Sequence, residues 1–547
     1  MSDAQSDRQG MTRSGPDPQH RPDVLVVGAG GAGAPFAARI SEEQSRTVLV
    51  LEAGPVPLAQ PGFPADVLNA AALPTVTGPG PHSWWYRSEV APGQEYDVGR
   101  GQGAGGSTAV NGAYFVRPRI TDLRRWAAAG NPDWAPDQVL PVLAALERDR
   151  QFADTAGHGG EGPVPVDRQA FAPSPMAEAF ARAASGLGHQ PLPDLNDIHA
   201  LSGHGQLPLN VENGVRMNTG LTHLLPALRR PNLTVWGGAR VLRVLISAGR
   251  ATGVEVEVDG RLQRISAGEV VLAAGAVRSP HLLMMSGIGP AHDVAKARIQ
   301  VQVDSPGVGT SFSDHADLTV TAPLRRPARP GPRDPLFAWA LNWAAAPLGL
   351  GDAEESRNET GESSGHAGDL EILPLLRPFS VLAGADEGTE LPVIVALQRP
   401  VSRGRLYLND ADPSSSPIVE YHHLSQDEDR RRMREGLRTA VELLVSDELA
   451  EWVDPESWDR TVFDRDRDLN AWMVENLGTA VHMAGTAPMG PDQRPGTVTD
   501  HHGRVHGVEG LRVVDTSILP EVPSRGPAAT AVLLGEHLGG LFINDHQ

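Results

Sequence analysis

The chain is 547 residues long, 40% apolar, and carries 67 acidic against 47 basic side chains, a formal charge of −20. That length predicts roughly two to four folding units, and so acidic a surface disfavours binding to nucleic-acid phosphates. With no cysteine in the chain, disulfides, thiolate metal centres, iron–sulfur clusters and catalytic thiols are excluded.

Residues 1–22 are polar, with neither an apolar core nor paired arginines, and read as a disordered tail rather than an export signal. No stretch approaches the ~20 apolar residues of a membrane span, so a cytoplasmic protein is expected. Order is predicted to begin at Asp23. Residues 23–27 form a short apolar run, residues 28–33 a glycine turn, residues 34–43 a helical stretch, and residues 47–51 a second apolar run ending at Glu52. That order is a parallel βαβ unit. Residues 55–83, rich in Gly and Pro, predict a surface loop or lid. Alternation around 254–256 predicts a β-meander, residues 269–274 a buried strand, and residues 279–286 a helix.

The character changes over 319–402. Residues 325–335 are basic and Pro-rich and 351–368 are polar, predicting loops around a separate sheet that includes 391–397. Between them, the aromatic segment 336–343 reads as a core helix, with a patch touching a membrane surface as the alternative. Residues 426–453 have helical periodicity, with Arg430, Arg431 and Arg432 on a solvated face. From 471 onwards glycine-punctuated pieces return. His501 and His502 are adjacent and expected to splay apart, so no metal centre is expected.

The turn Gly28-Ala29-Gly30-Gly31-Ala32-Gly33 has the GxGxxG spacing. Gly28 permits the tight turn, Gly30 lets the backbone approach a pyrophosphate, and Gly33 allows close packing of helix on strand. The diphosphate then lies at the positive end of the helix. Glu52, 19 residues beyond Gly33, stands where a carboxylate accepts from a ribose diol. The pattern does not separate FAD from NAD. A second small-residue loop, Gly105-Gly106-Ser107-Thr108, offers consecutive N–H groups and two hydroxyls to a pyrophosphate or flavin edge.

Residues 101–111 (GQGAGGSTAVN) resemble the first signature of the glucose–methanol–choline (GMC) flavoprotein oxidoreductases, and residues 275–289 (GAVRSPHLLMMSGIG) resemble the second. PGVG at 306–309 with Asp314-His315, SRG at 402–404, His482 to Thr486, and Asp515 to Pro520 are similar to further family motifs in the same order. The resemblance implies FAD, held by Gly28, Gly30, Gly33, Glu52, Arg100, Gly105, Gly106, Ser107, Asn111, Val241 and Asp515. Gln102 and Ala104 replace a basic and a large aliphatic residue of the family pattern, and Arg100 offers the missing charge. Val110 stands where some relatives carry a histidine bonded to the flavin, so non-covalent FAD is expected. The implied fold is α/β: a discontinuous Rossmann-like FAD domain carrying an α+β substrate domain on an antiparallel sheet. The expected division is 23–318 for the FAD domain, with substrate-domain insertions near 163–214, then 319–465 for the substrate domain, and 466–547 for the return carrying the catalytic histidine.

By the same resemblance His482 is the base that takes an alcohol proton while hydride passes to flavin N5. Relatives carry a second His or Asn about forty residues later, where this chain has Gly526. Arg525 is the candidate replacement, its guanidinium orienting a substrate carbonyl or carboxylate, against a simple pairing with a carboxylate or FAD phosphate. Residues 523–527 (PSRGP) and 111–117 (NGAYFVR) resemble a narrower group, the GMC oxidoreductase encoded with the mycofactocin system. That likeness implies reoxidation of reduced mycofactocin with electrons passing to a respiratory acceptor. A general alcohol, choline or sugar dehydrogenase or oxidase remains the alternative, and a non-catalytic flavin-binding electron-transfer or scaffold protein the alternative of another class.

Overall fold

The computed structural model describes residues 21–76, 78–80, 82–200, 202–331, 334–345 and 368–546. The expected tail up to residue 20 and the polar stretch 351–367 lie outside the described residues.

Four-residue runs of Val and Leu build the first sheet. Strand β1 (Val24–Val27) leads through the glycine turn to helix α1 (Gly33–Ile40) and back to β2 (Val48–Leu51). Parallel strands β3 (Leu233–Trp236) and β4 (Glu269–Leu272) extend this sheet on either side, and helix α2 (Gly275–Met285) leaves the end of β4. Every residue of β1 and β2 is buried, as continuous apolar strands covered on both faces must be. Between β3 and β4 the chain makes an antiparallel meander over 239–266, where alternation around Val254 predicts one.

The second sheet is antiparallel and six-stranded. Its long members are β5 (Ala316–Ala328), β6 (Trp339–Trp343), β7 (Leu370–Pro374) and β8 (Gly388–Leu397). Strand Gly203–Gln206 pairs with β6 at one edge. Helix α3 (Asp427–Leu444) packs across this sheet so closely that a Cβ on Gly436 would sit 2.7 Å from Val395. At the other edge β9 (Gly478–Thr479) pairs with β5, delivering the following residues to the first sheet. The chain then adds β10 (Leu511–Val513) beside β4 and closes with α4 (Ala528–Asp545), which packs on α1 through an edge-on Phe36–Phe542 contact. The parallel strands therefore run in the order β3, β2, β1, β4, β10. Among the described residues no helix is long and apolar enough to cross a membrane.

Four expectations are corrected. Segment 336–343 is not a helix and presents no membrane patch: Trp339 to Trp343 is a strand with all five residues buried, and Phe180 stacks on Trp339. A strand covered on both faces loses its period-two signal, so an apolar run of this length reads equally as helix. The basic run 325–335 is not simply loop, because β5 continues to Ala328. Arg432 is not solvated; it is 1% exposed and paired with Asp429 at 2.7 Å and Asp369 at 3.2 Å. Finally, His501 and His502 do not splay: both turn their Nε2 atoms to Asp133, with ring centroids 4.7 Å apart.

Candidate active site

The end of β1 is shaped by what cannot fit there. Gly28 has φ +106°, and a Cβ on it would lie 2.5 Å from the carbonyl oxygen of Ala273 on the neighbouring strand. A Cβ on Gly33 would lie 2.1 Å from the carbonyl oxygen of Gly28, so α1 can press against its own turn only without a side chain. Helix α1 starts at Ala32 with no side-chain cap, which leaves its first N–H groups for an anion. The second glycine loop closes over this end: a Cβ on Gly106 would come 2.8 Å from the Cα of Gly30.

Glu52 joins the two loops. Its carboxylate accepts the backbone N–H of Ala29 at 2.8 Å, of Gly54 at 2.9 Å and of Gly103 at 3.0 Å. Sequence reasoning gave it a ribose; the fold also makes it the brace between both glycine loops. Ser107 Oγ accepts from the N–H of Gly101, and Asn111 Oδ1 from that of Ala113. Asp515 ties the tail of the chain to α2: Oδ2 accepts from the N–H of Gly275 at 2.8 Å and the hydroxyl of Ser279 at 2.5 Å. Burial raises the pKa of its carboxyl, while these donors pull the other way.

A cavity of about 520 Å³ runs from these loops to His482. Its wall includes Gly28, Gly30, Glu52, Arg100, Gly106, Ser107, Asn111, Val241 and Asp515, together with His482 and Gly526. Gly33 and Gly105 stand behind the wall rather than in it. Arg525 also fails to reach the cavity. It is 2% exposed and donates to the carbonyl of Leu195, in the field of Glu371 and Tyr114, both of which do line the cavity. Packing against Leu195 takes the Arg525 side chain into the core while the neighbouring Gly526 stays at the cavity.

His482 is held by an arrangement the motifs did not disclose. Its backbone N–H donates to Asp314 Oδ1 at 2.7 Å, and the carbonyl of Val481 accepts from Arg100. Val481 has φ +60°, a conformation that costs a β-branched residue ~1–3 kcal/mol and persists only where the surroundings impose it. The His482 ring stands edge-on to His315, with the two Nδ1 atoms 2.9 Å apart, and His315 Nε2 lies 2.9 Å from the carbonyl oxygen of Pro523. Burial lowers the pKa of His315 to about 4, so this ring is neutral. A carbonyl only accepts, so His315 carries its proton on Nε2 and offers the Nδ1 lone pair. His482 must then donate from Nδ1, which leaves its Nε2 lone pair free. Nε2 is 3.9 Å from where a Cβ on Gly526 would be, beside the cavity. The pKa of His482 is pushed well below the ordinary value, first by burial, then by His315 and Arg100.

The cavity wall also carries a polar cluster. Glu371 accepts from Gln398 Nε2 at 3.0 Å, from Asn342 at 3.2 Å and from the Tyr114 hydroxyl at 3.4 Å. Asp317 lines the same region, and burial with the nearby Asp314 carboxyl raises its pKa to about 7. Sequence reasoning quoted Asp314 and His315 only as part of a motif and missed Asp317, Glu371 and Gln398. These residues come from strands distant in sequence, and no local pattern marks them.

A parallel sheet with a glycine turn, an uncapped helix N-terminus and a cavity leading to a neutral histidine defines a dinucleotide-dependent oxidoreductase. The chain belongs to the GMC oxidoreductase family, whose N-terminal region matches residues 23–317 and whose C-terminal region matches residues 400–535. An uncharacterised GMC-type oxidoreductase from Rhodococcus erythropolis is 36% identical over 96% of this chain and 98% of its own length. An oxygen-dependent choline dehydrogenase from Photobacterium profundum is 30% identical over 96% and 93%. Among solved structures, a pyridoxine 4-oxidase from Mesorbium loti superposes with a TM-score of 0.84 at 26% identity, covering 96% of this chain and all of that one. The protein is an FAD-dependent oxidoreductase. The glycine cradle, the brace at Glu52 and the room beside His482 fit that cofactor.

Proposed function

We propose that the protein oxidises a CH–OH group, with His482 as the base that takes the hydroxyl proton. The observation that carries this reading is the chain of contacts from the Pro523 carbonyl through His315 to His482 Nδ1, which supports an unprotonated Nε2 at the cavity. Bound FAD supplies the two-electron acceptor for the hydrogen leaving carbon. His482 accepts the proton at Nε2, and the adjacent Nδ1–H bond to His315 keeps the ring in place while its charge develops. His482 lies on the cavity wall, where Nε2 can meet the hydroxyl of a bound alcohol. Arg525 acts from behind the wall, holding Glu371 and Tyr114 by its charge rather than touching substrate. Val110 lines the cavity with a hydrocarbon side chain that offers no nucleophile, which supports non-covalent FAD; acid precipitation then releases the flavin into the supernatant.

The substrate we propose is reduced mycofactocin, with electrons passing on to a respiratory acceptor. Gly526 supports this choice. It leaves the flank of His482 without a hydrogen-bonding side chain, which suits a bulky donor whose own amide lies beside its hydroxyl. Glu371, Tyr114 and Gln398 offer such an amide both acceptors and donors. A second reading, a quaternary-ammonium alcohol such as choline, is favoured by Asp317, a carboxyl on the cavity wall with no cationic partner among the described residues.

The test is anaerobic reduction of the bound flavin by reduced mycofactocin, choline and simple alcohols in parallel, followed by addition of oxygen or a quinone. The reading expects bleaching by reduced mycofactocin at the lowest concentration, and a loss of ~10²–10⁴ in rate in His482→Ala with FAD retained. Bleaching by choline alone transfers the assignment to the second reading. No bleaching by any alcohol, or a wild-type rate in His482→Ala, refutes both.

A further inference from the structure

The adjacent pair His501-His502 lies outside the cavity and takes no part in the oxidation. We propose that Asp133, His501 and His502 form a site for one divalent transition-metal ion of the zinc class, with Asp545 orienting His502. Asp133 Oδ2 is 3.1 Å from His501 Nε2 and 3.0 Å from His502 Nε2, and one ligand atom from each of the three residues lies within 4.8 Å of the others. Zinc bonded tetrahedrally to imidazole nitrogen and carboxylate oxygen at ~2.0–2.2 Å holds neighbouring donors about 3.3–3.5 Å apart. The two carboxylate–imidazole separations, 3.1 and 3.0 Å, are within a few tenths of an ångström of that spacing before any ion is added.

The ligands are also held from behind, which a chance meeting of surface side chains does not provide. His502 Nδ1 faces the Asp545 carboxylate at 3.0 and 3.1 Å, the carboxylate–histidine arrangement that aims a ligating imidazole. Asp545 is itself fixed by Arg512 and Arg504. The buried Trp134 ring, next in sequence to Asp133, donates from Nε1 to the carbonyl of His501 at 3.0 Å. His537 of α4 lies 2.8 Å from the carbonyl of Asp133 through Nε2. The three ligand side chains are 31%, 17% and 33% exposed for His501, His502 and Asp133, so water can complete a four-coordinate ion. Two imidazoles and one carboxylate select zinc, nickel or cobalt over calcium or magnesium, which take oxygen donors. None of these residues lines the redox cavity. The ion would pin the 132–134 turn, the 500–503 turn and the C-terminal end of α4 together, a structural role in the holoenzyme.

The FAD-loaded full-length protein is stripped with a chelator and titrated with zinc chloride by calorimetry, while thermal unfolding is followed with and without zinc. One equivalent binding at micromolar concentration or below, with a raised melting temperature, is expected. Asp133→Asn and the double variant His501→Gln, His502→Gln should lose that binding, and Asp545→Asn should weaken it ~10–100-fold; unchanged flavin absorbance establishes that each variant is folded. No saturable binding in the wild type, or binding that survives the double histidine variant, overturns the site and leaves a hydrogen-bonded cluster only.

Discussion

Replacing His315 by Ala removes the group that sets the proton of His482, and the structure gives the size of the effect. The His482 Nδ1–H loses its acceptor at 2.9 Å and the Pro523 carbonyl its donor at 2.9 Å. Two buried groups left unpaired at ~1–3 kcal/mol each cost about 2–6 kcal/mol of stability before any repacking. The kinetic effect is separate. With no partner at Nδ1, the ring is free to rotate or to carry its proton on Nε2, where it cannot act as base. The loss of one orienting bond of ~1.4–2.8 kcal/mol corresponds to a ~10–100-fold slower reduction of FAD, less than the ~10²–10⁴ for deleting the base itself. Anaerobic stopped-flow of the FAD-loaded variant measures this directly: the limiting rate should fall while the substrate concentration for half-saturation changes little. His315→Asn, which restores both an acceptor and a donor, should recover part of the rate and separate lost hydrogen bonding from lost packing. A folded, flavin-replete His315→Ala enzyme that reduces at the wild-type rate would show that the tautomer argument is wrong.

Three further outcomes are expected. Gly526→Asn places its Cβ in ordinary contact, 3.6 Å from His482 Cε1, so the variant should fold with FAD; a new hydrogen bond of ~1–1.4 kcal/mol should raise kcat/KM for a small alcohol ~5–10-fold and lower it for a bulky one, read by steady-state comparison of the two. In Arg100→Gln one of the charges that depress the His482 pKa is gone, so that pKa rises; because protonated His482 cannot act as base, the acid fall of kcat/KM should begin at higher pH than in the wild type, and a limb that stays put or moves down contradicts the assignment. Gly33→Ala drives a methyl to 2.1 Å from a backbone oxygen, and the overpacking, ~1–3 kcal/mol or more, should separate α1 from its turn; the FAD-to-protein ratio of the purified variant should fall well below one.

Local sequence was sufficient where the structural requirement is itself local. Gly33 is dictated by the Gly28 carbonyl within its own turn, and Gly28 by its φ of +106°, so their spacing announced the βαβ unit, and with the ordered motifs around it the family and FAD. His482 was legible for the same reason, because its motif travels with it. His315 was visible only as a letter in a motif; its function depends on a ring and a carbonyl that are 167 and 208 residues away.

The side on which a residue falls was settled by neighbours distant in the chain. Arg525 and Gly526 are adjacent, yet packing turns one into the core beside Leu195 and the other toward His482. Segment 339–343 is buried because elements from 175–206 and 370–374 cover it, and apolar composition without periodicity is compatible with either helix or strand. His501 and His502 converge because Asp133 and Asp545 approach from other parts of the chain. Sterics within a few residues can be read along the chain, whereas burial, partner and proton position are properties of a surface that exists only when distant segments have met.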